Sequence, residues 1–144
     1  MTAFFKKMYS VSKNTNFKDV PKEPGVYRLI WVADGAEKPE SINRVLNIDK
    51  EGVLYIGQSS NLSARFKSMV KSFSTNQKGH VAARRYNSIE KLTKKIPQNE
   101  IWFQYEQYEV NTIKAEEKEL LKKYVNTFGE APPLNSTTGL IKAF

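Results

Sequence analysis

The sequence predicts one small domain of mixed α/β class whose sheet strands run largely antiparallel. Three observations predict it. Short segments rich in β-branched and aromatic residues recur between turn residues, the pattern of sheet strands. Three longer segments carry apolar residues at helical spacing. The length of 144 residues, 40% of them apolar and 12% aromatic, fits a single packed core.

The elements follow in order. Residues 1–19 read as a polar, basic leader ahead of a domain over residues 20–144. Gly25–Ala33 reads as a strand, and Asp34-Gly35 through Pro39-Glu40 is turn chemistry. Ile42–Ile48 reads as a second strand and Val53–Ile56 as a third, ended by Gly57. Ser59-Ser60-Asn61 offers N-cap residues to a helix with Leu62, Phe66, Met69, Val70 and Phe73 on one side. After a loop over Ser74–Gly79, a second helix runs to about Lys95 and is closed by Pro97. Ile101–Tyr108 alternates as another strand. Thr112–Phe128 forms a third helix, with Gly129 suited to its C-terminal cap, and Pro132-Pro133-Leu134-Asn135 makes a rigid turn. No internal repeat or low-complexity tract is present.

Composition narrows the chemistry. Without cysteine, the chain has no disulfide framework, iron–sulfur cluster, thiolate zinc site or cysteine nucleophile. His80 is the sole histidine, which excludes a multi-histidine metal cluster and argues against a Ser-His-Asp hydrolase. No apolar run approaches the ~20 residues that span a bilayer, so no membrane association is expected. The start, Met1 to Lys7, has no apolar signal-peptide region, and this points to the cytoplasm.

The formal net charge is +8 and the pI about 9.6. All of the surplus lies in residues 60–98, where nine basic side chains face one acid, Glu90; the remainder balances at 14 basic and 14 acidic residues. A surplus confined to one stretch is the footprint of a nucleic-acid face, although a solvated helical surface would look the same.

Helical wheels sharpen the candidates. With Ile113 at the origin and 100° per residue, Glu117 falls at about 40°, inside the stripe of Ile113, Leu120, Leu121, Tyr124 and Phe128. A carboxylate there is costly unless it is protonated, paired with a core donor such as Arg, Tyr or a backbone N–H, or bound to a metal ion. Arg65 borders the apolar stripe of the first helix, while Lys67 and Lys71 point outward. In the second helix His80, Arg84, Lys91, Lys94 and Lys95 share one face, a candidate phosphate track. Arg85 falls among the apolar positions and needs an acceptor.

Pro24-Gly25-Val26-Tyr27 and Leu54-Tyr55-Ile56-Gly57 resemble the two signature tripeptides of the GIY-YIG nuclease family. Their order, Arg65 ten residues beyond Tyr55, Glu117-x-x-Leu120-Leu121 followed by Tyr124, and Pro133-Leu134-Asn135 extend the resemblance over about residues 20–136. Glu117 is thus selected both by the wheel and by the motif. The resemblance implies an α+β fold: a small central antiparallel three-stranded sheet flanked by helices. It also implies a divalent-metal-dependent endonuclease that hydrolyses DNA by a one-metal mechanism. Tyr27 would act as, or orient, the general base, either ionised locally or passing its proton on through His80. Tyr55 would be a second active-site hydroxyl, Arg65 would stabilise the transition-state phosphate, Glu117 would bind Mg2+ or Mn2+, and Asn135 would support the geometry. His80 loosely matches a histidine of some homing-type members.

The sequence departs from the pattern in three places. Tyr27 and Tyr55 stand 28 residues apart, implying an insertion around residues 34–49. Gln58 replaces a common lysine, and Met69 stands where some members carry histidine. Gln58, Lys67, Lys71, Arg84, Lys91, Lys94 and Lys95 are the expected DNA contacts. No separate recognition domain is expected, so specificity would come from the insertion, the basic helix, a protein partner or self-association, or would be low. The alternative is a catalytically inactive nucleic-acid-binding module of the same fold.

Overall fold

The computed structural model describes residues 8–12, 17–75 and 80–135. Its centre is a four-stranded antiparallel sheet in the order β1-β6-β2-β5, formed by β1 (Met8–Ser10), β2 (Gly25–Trp31), β5 (Val53–Ser59) and β6 (Ile101–Gln107). A separate two-stranded ladder, β3 (Ile42–Asn43) with β4 (Ile48–Asp49), lies in the insertion. The helices are α1 (Leu62–Thr75), α2 (Val81–Ser88), α3 (Glu90–Lys95) and α4 (Ile113–Phe128).

Strand β2 is central and buried on both faces, and its alternation assigns one core to each. Tyr27 and Leu29 face the cluster of Leu62, Phe66, Met69 and Phe103. Val26 and Ile30 face Val53, Ile56, Leu121 and Tyr124. Helices α1 and α2 therefore cover one face and α4 the other.

Four expectations change. The sheet has four strands, because Met8–Ser10 of the leader pairs with Gln104, Phe103 and Trp102 at the edge. Residues 42–48 form a tight hairpin instead of one strand, since Arg44 N–H returns to the Asn47 carbonyl at 3.0 Å. β5 continues past Gly57 to Ser59, with Tyr27 paired to Gly57. The second helix is two, broken where Ile89 takes an extended backbone (φ −115°, ψ 101°). The ends of α1 and α4 follow the sequence: Asn61 Oδ1 accepts the Ala64 N–H at 3.0 Å, and Gly129 is left-handed at φ 81°.

The insertion is pinned to the body. Buried Asp49 accepts the N–H groups of Glu51 and Val53 and the Tyr124 hydroxyl, each within 2.9 Å. Leu46 N–H reaches the Phe128 carbonyl, and Arg44 pairs with Glu130 at 2.8 Å. Among the described residues no helix is long and apolar enough to cross a membrane.

Candidate active site

The two signature glycines make room for the site. A Cβ at Gly57 would lie 2.6 Å from the Tyr27 hydroxyl and 2.7 Å from both Tyr27 Cζ and Tyr55 Cε1. The Tyr27 ring thus crosses β5 at the only residue type that admits it. At Gly25 a Cβ would strike the Glu106 carbonyl and lie 2.7 Å from Leu62, so this glycine lets β6 and α1 close on β2. Tyr27 is 1% exposed and cannot yield. Gly57→Ala is therefore expected to cost about 1–3 kcal/mol through overpacking, read as a lower urea midpoint with unchanged slope.

Tyr27 comes from β2, Tyr55 from β5, Arg65 from α1, His80 from the residue capping α2, and Glu117 from α4. The Tyr27 hydroxyl is 2.7 Å from His80 Nε2. The Tyr55 ring meets the His80 edge at a centroid separation of 4.9 Å, and the two tyrosine rings lie 6.0 Å apart. Asn135 locks β5 from behind: its Oδ1 accepts the Ile56 N–H and its Nδ2 donates to the Ile56 carbonyl, both at 3.0 Å. These two bonds tie the 132–135 turn to β5 beside Tyr55.

Electrostatics bind the group together. Burial pushes the Tyr27 hydroxyl well above its usual 10.0, with Tyr55 and Glu117 adding to the rise and Arg65 opposing it. Tyr55 is raised as well, by burial first and then by the Glu117 charge, while Tyr27 and Arg65 oppose the rise. Burial and the neighbouring Arg65 hold His80 down at about 4, so its imidazole is neutral at pH 7. Burial alone raises Glu117. Arg65 and Glu117 are both part-buried. Among the described residues neither side chain makes a hydrogen bond or an ion pair.

Among the described residues no three His, Asp or Glu side chains gather as a metal cluster. A one-carboxylate site would not form such a cluster. Mg2+ keeps several waters and commonly takes one or two carboxylates plus substrate phosphate oxygens. A part-buried carboxylate without a donor is the ligand such an ion needs, and Glu117 fits.

His80 does not lie on the outer basic face. It is 4% exposed and turned inward, because it caps the helix instead of belonging to it and has an extended backbone (φ −66°, ψ 137°). The break at Ile89 also removes the single wheel on which Arg84 and the lysines were aligned. Lys67, Lys71, Arg84, Lys91, Lys94 and Lys95 are all exposed, and Lys94 pairs with Glu90 at 2.8 Å. None of them enters the tyrosine cluster. Gln58 is part-buried in β5 opposite Val26.

Arg85 is exposed where the wheel buried it, and its Nε donates to the Pro133 carbonyl at 2.9 Å. With Lys91, Lys95, Ile89, Leu92 and Pro133 it borders an open depression of about 500 Å³. This basic rim stands two residues from Asn135. Sequence reasoning missed it because the helix break that forms it leaves no signature in the periodicity. The pin at Asp49 was also missed; an aspartate directly ahead of a turn, accepting the N–H two residues on, is its local signal.

Compared with family models, with curated proteins and with solved structures, the chain matches none of them.

Proposed function

We propose that this chain binds DNA and hydrolyses its phosphodiester bonds as a divalent-metal-dependent endonuclease resembling the GIY-YIG type. One observation carries the reading. Arg65 and Glu117, opposite charges without partners among the described residues, both act on the Tyr27–Tyr55 pair. Leaving two part-buried charges unpaired is costly. A phosphodiester with its cation answers both: an anion for Arg65 and a cation for Glu117.

In the reaction, water adds at phosphorus and the bond to the 3′-oxygen breaks, leaving a 5′-phosphate and a 3′-hydroxyl. Arg65 neutralises charge on the non-bridging oxygens from a fixed position. The tyrosine hydroxyls orient the reacting groups, and Asn135 holds the strand that carries Tyr55. Mg2+ or Mn2+ held by Glu117 would supply Lewis acidity at the phosphate and the leaving oxygen.

The basic rim would meet flanking phosphates. Lys91→Ala with Lys95→Ala should flatten the dependence of log affinity on log salt by roughly two, measured by anisotropy on a labelled duplex in EDTA.

A second reading, a binding module without catalysis, is favoured by the absence of a carboxylate and histidine cluster among the described residues. Labelled duplex at low salt, with Mg2+ or with EDTA, distinguishes the two. The nuclease reading expects retention in both conditions and cleavage in Mg2+ alone. Retention without cleavage in either condition selects the binding module, and no retention overturns both.

A further inference from the structure

We infer that Tyr55, not Tyr27, presents the hydroxyl that touches the scissile phosphodiester, and that His80 and Tyr27 stand behind it as a directed chain of hydrogen-bond donors. The inference rests on the proposed nuclease reading for its substrate, but the direction of the chain is independent of it.

The direction starts at the helix. The Ala82 backbone N–H, in the first turn of α2, donates to His80 Nδ1 at 3.2 Å. An N–H cannot point at another N–H, so Nδ1 is the bare nitrogen, and the neutral ring carries its proton on Nε2. That proton lies on the bond to Tyr27, where Nε2 and the hydroxyl oxygen are 2.7 Å apart. His80 therefore donates and the Tyr27 oxygen accepts. The Tyr27 proton is then turned away from His80, and the Tyr55 ring is beside it at a centroid separation of 6.0 Å.

Burial follows the same order. His80 is 4% exposed and Tyr27 1%, whereas Tyr55 is only part-buried. A phosphodiester that cannot enter the core can meet Tyr55 without displacing anything. The charged groups facing the chain are Arg65 from α1 and Glu117 from α4. The arrangement also excludes a relay of the Tyr27 proton through His80. Nε2 already holds a proton, and charging the ring would set Nδ1–H against Ala82 N–H at a helix N-terminus beside Arg65. Tyr27 and His80 are positioning residues.

Because the chain has a single histidine, nitrogen-15 NMR reads the first step without ambiguity. The long-range spectrum of the full chain at pH 7 should show the Nε2–H tautomer with a bare Nδ1, and Tyr27→Phe should expose that proton to solvent exchange. A Nδ1–H tautomer, or an averaged mixture, overturns the direction. In Mg2+-dependent cleavage, Tyr55→Phe should lose about 1,000-fold and Tyr27→Phe no more than about 100-fold. The reverse order overturns the assignment of Tyr55. His80→Gln, whose amide can donate to Tyr27 but cannot relay a proton, should recover most of what His80→Ala loses; a folded His80→Gln as inactive as His80→Ala overturns the donor role. If the wild-type chain cleaves nothing, the nuclease reading fails while the spectrum still decides the direction of the chain.

Discussion

Replacing Arg65 by alanine should lower single-turnover DNA cleavage roughly 1,000-fold while leaving affinity within a few-fold. A guanidinium aimed at transition-state charge contributes on the order of 10³–10⁵ in phosphoryl transfer. Ground-state affinity comes mainly from many phosphate contacts, of which this is one. Arg65→Lys should recover little, because an ammonium is a point charge without the planar fork. The same variant has a signature apart from catalysis. The Arg65 charge helps to hold His80 at about 4, so its removal should move the histidine titration upward toward the usual 6.5. Burial is the larger cause and remains, so the shift should be partial. An unmoved histidine would mean that Arg65 does not face the tyrosine cluster.

Replacing Glu117 by glutamine should abolish Mg2+-dependent cleavage to the assay limit, a loss of roughly 1,000-fold or more, since the lost ligand removes several kcal/mol of charge stabilisation. The fold should respond in the opposite direction. Burial raises the Glu117 carboxyl above its ordinary value, so it holds its proton more tightly in the folded state than in the unfolded one. Its contribution to stability is then fully present below the unfolded value and is lost as pH rises through the folded value. Above that folded value and without metal the ionised Glu117 destabilises the fold, and there Glu117→Gln should melt at the same temperature as wild type or higher. Adding Mg2+ should raise the wild-type melting temperature and leave the variant unmoved. For the same reason, cleavage should fail on acidification at a higher pH than an ordinary carboxylate would give. A variant that melts lower and still cleaves would make Glu117 a structural residue.

The positions of α1 and α4 were legible in the sequence because their apolar stripes are long and their caps are explicit in Asn61 and Gly129. The same stripe on α4 marked Glu117 as out of place, and its side chain is part-buried and without a partner among the described residues. What was illegible has physical causes. A three-residue strand such as Met8–Ser10 is too short to show alternation, and only the free edge of β6 calls it into the sheet. The break at Ile89 interrupts a periodicity that continues across it. His80 was misplaced because a wheel treats the cap as a helical residue, whereas its backbone is extended and turns the ring into the core. Gly57 looked like a strand end; its missing side chain instead accommodates the Tyr27 ring.

The central claim is that Tyr27, Tyr55, Arg65, His80 and Glu117 form one hydrolytic site on a DNA-binding surface. Single-turnover cleavage of a labelled duplex in Mg2+, with wild type, Arg65→Ala and Glu117→Gln each saturated on DNA, tests it most directly. Wild type should cleave in a manner that EDTA abolishes, leaving 5′-phosphate and 3′-hydroxyl ends, with both variants bound and slower by roughly three orders of magnitude. Equal rates for all three proteins, or wild-type binding without any cleavage, would contradict it.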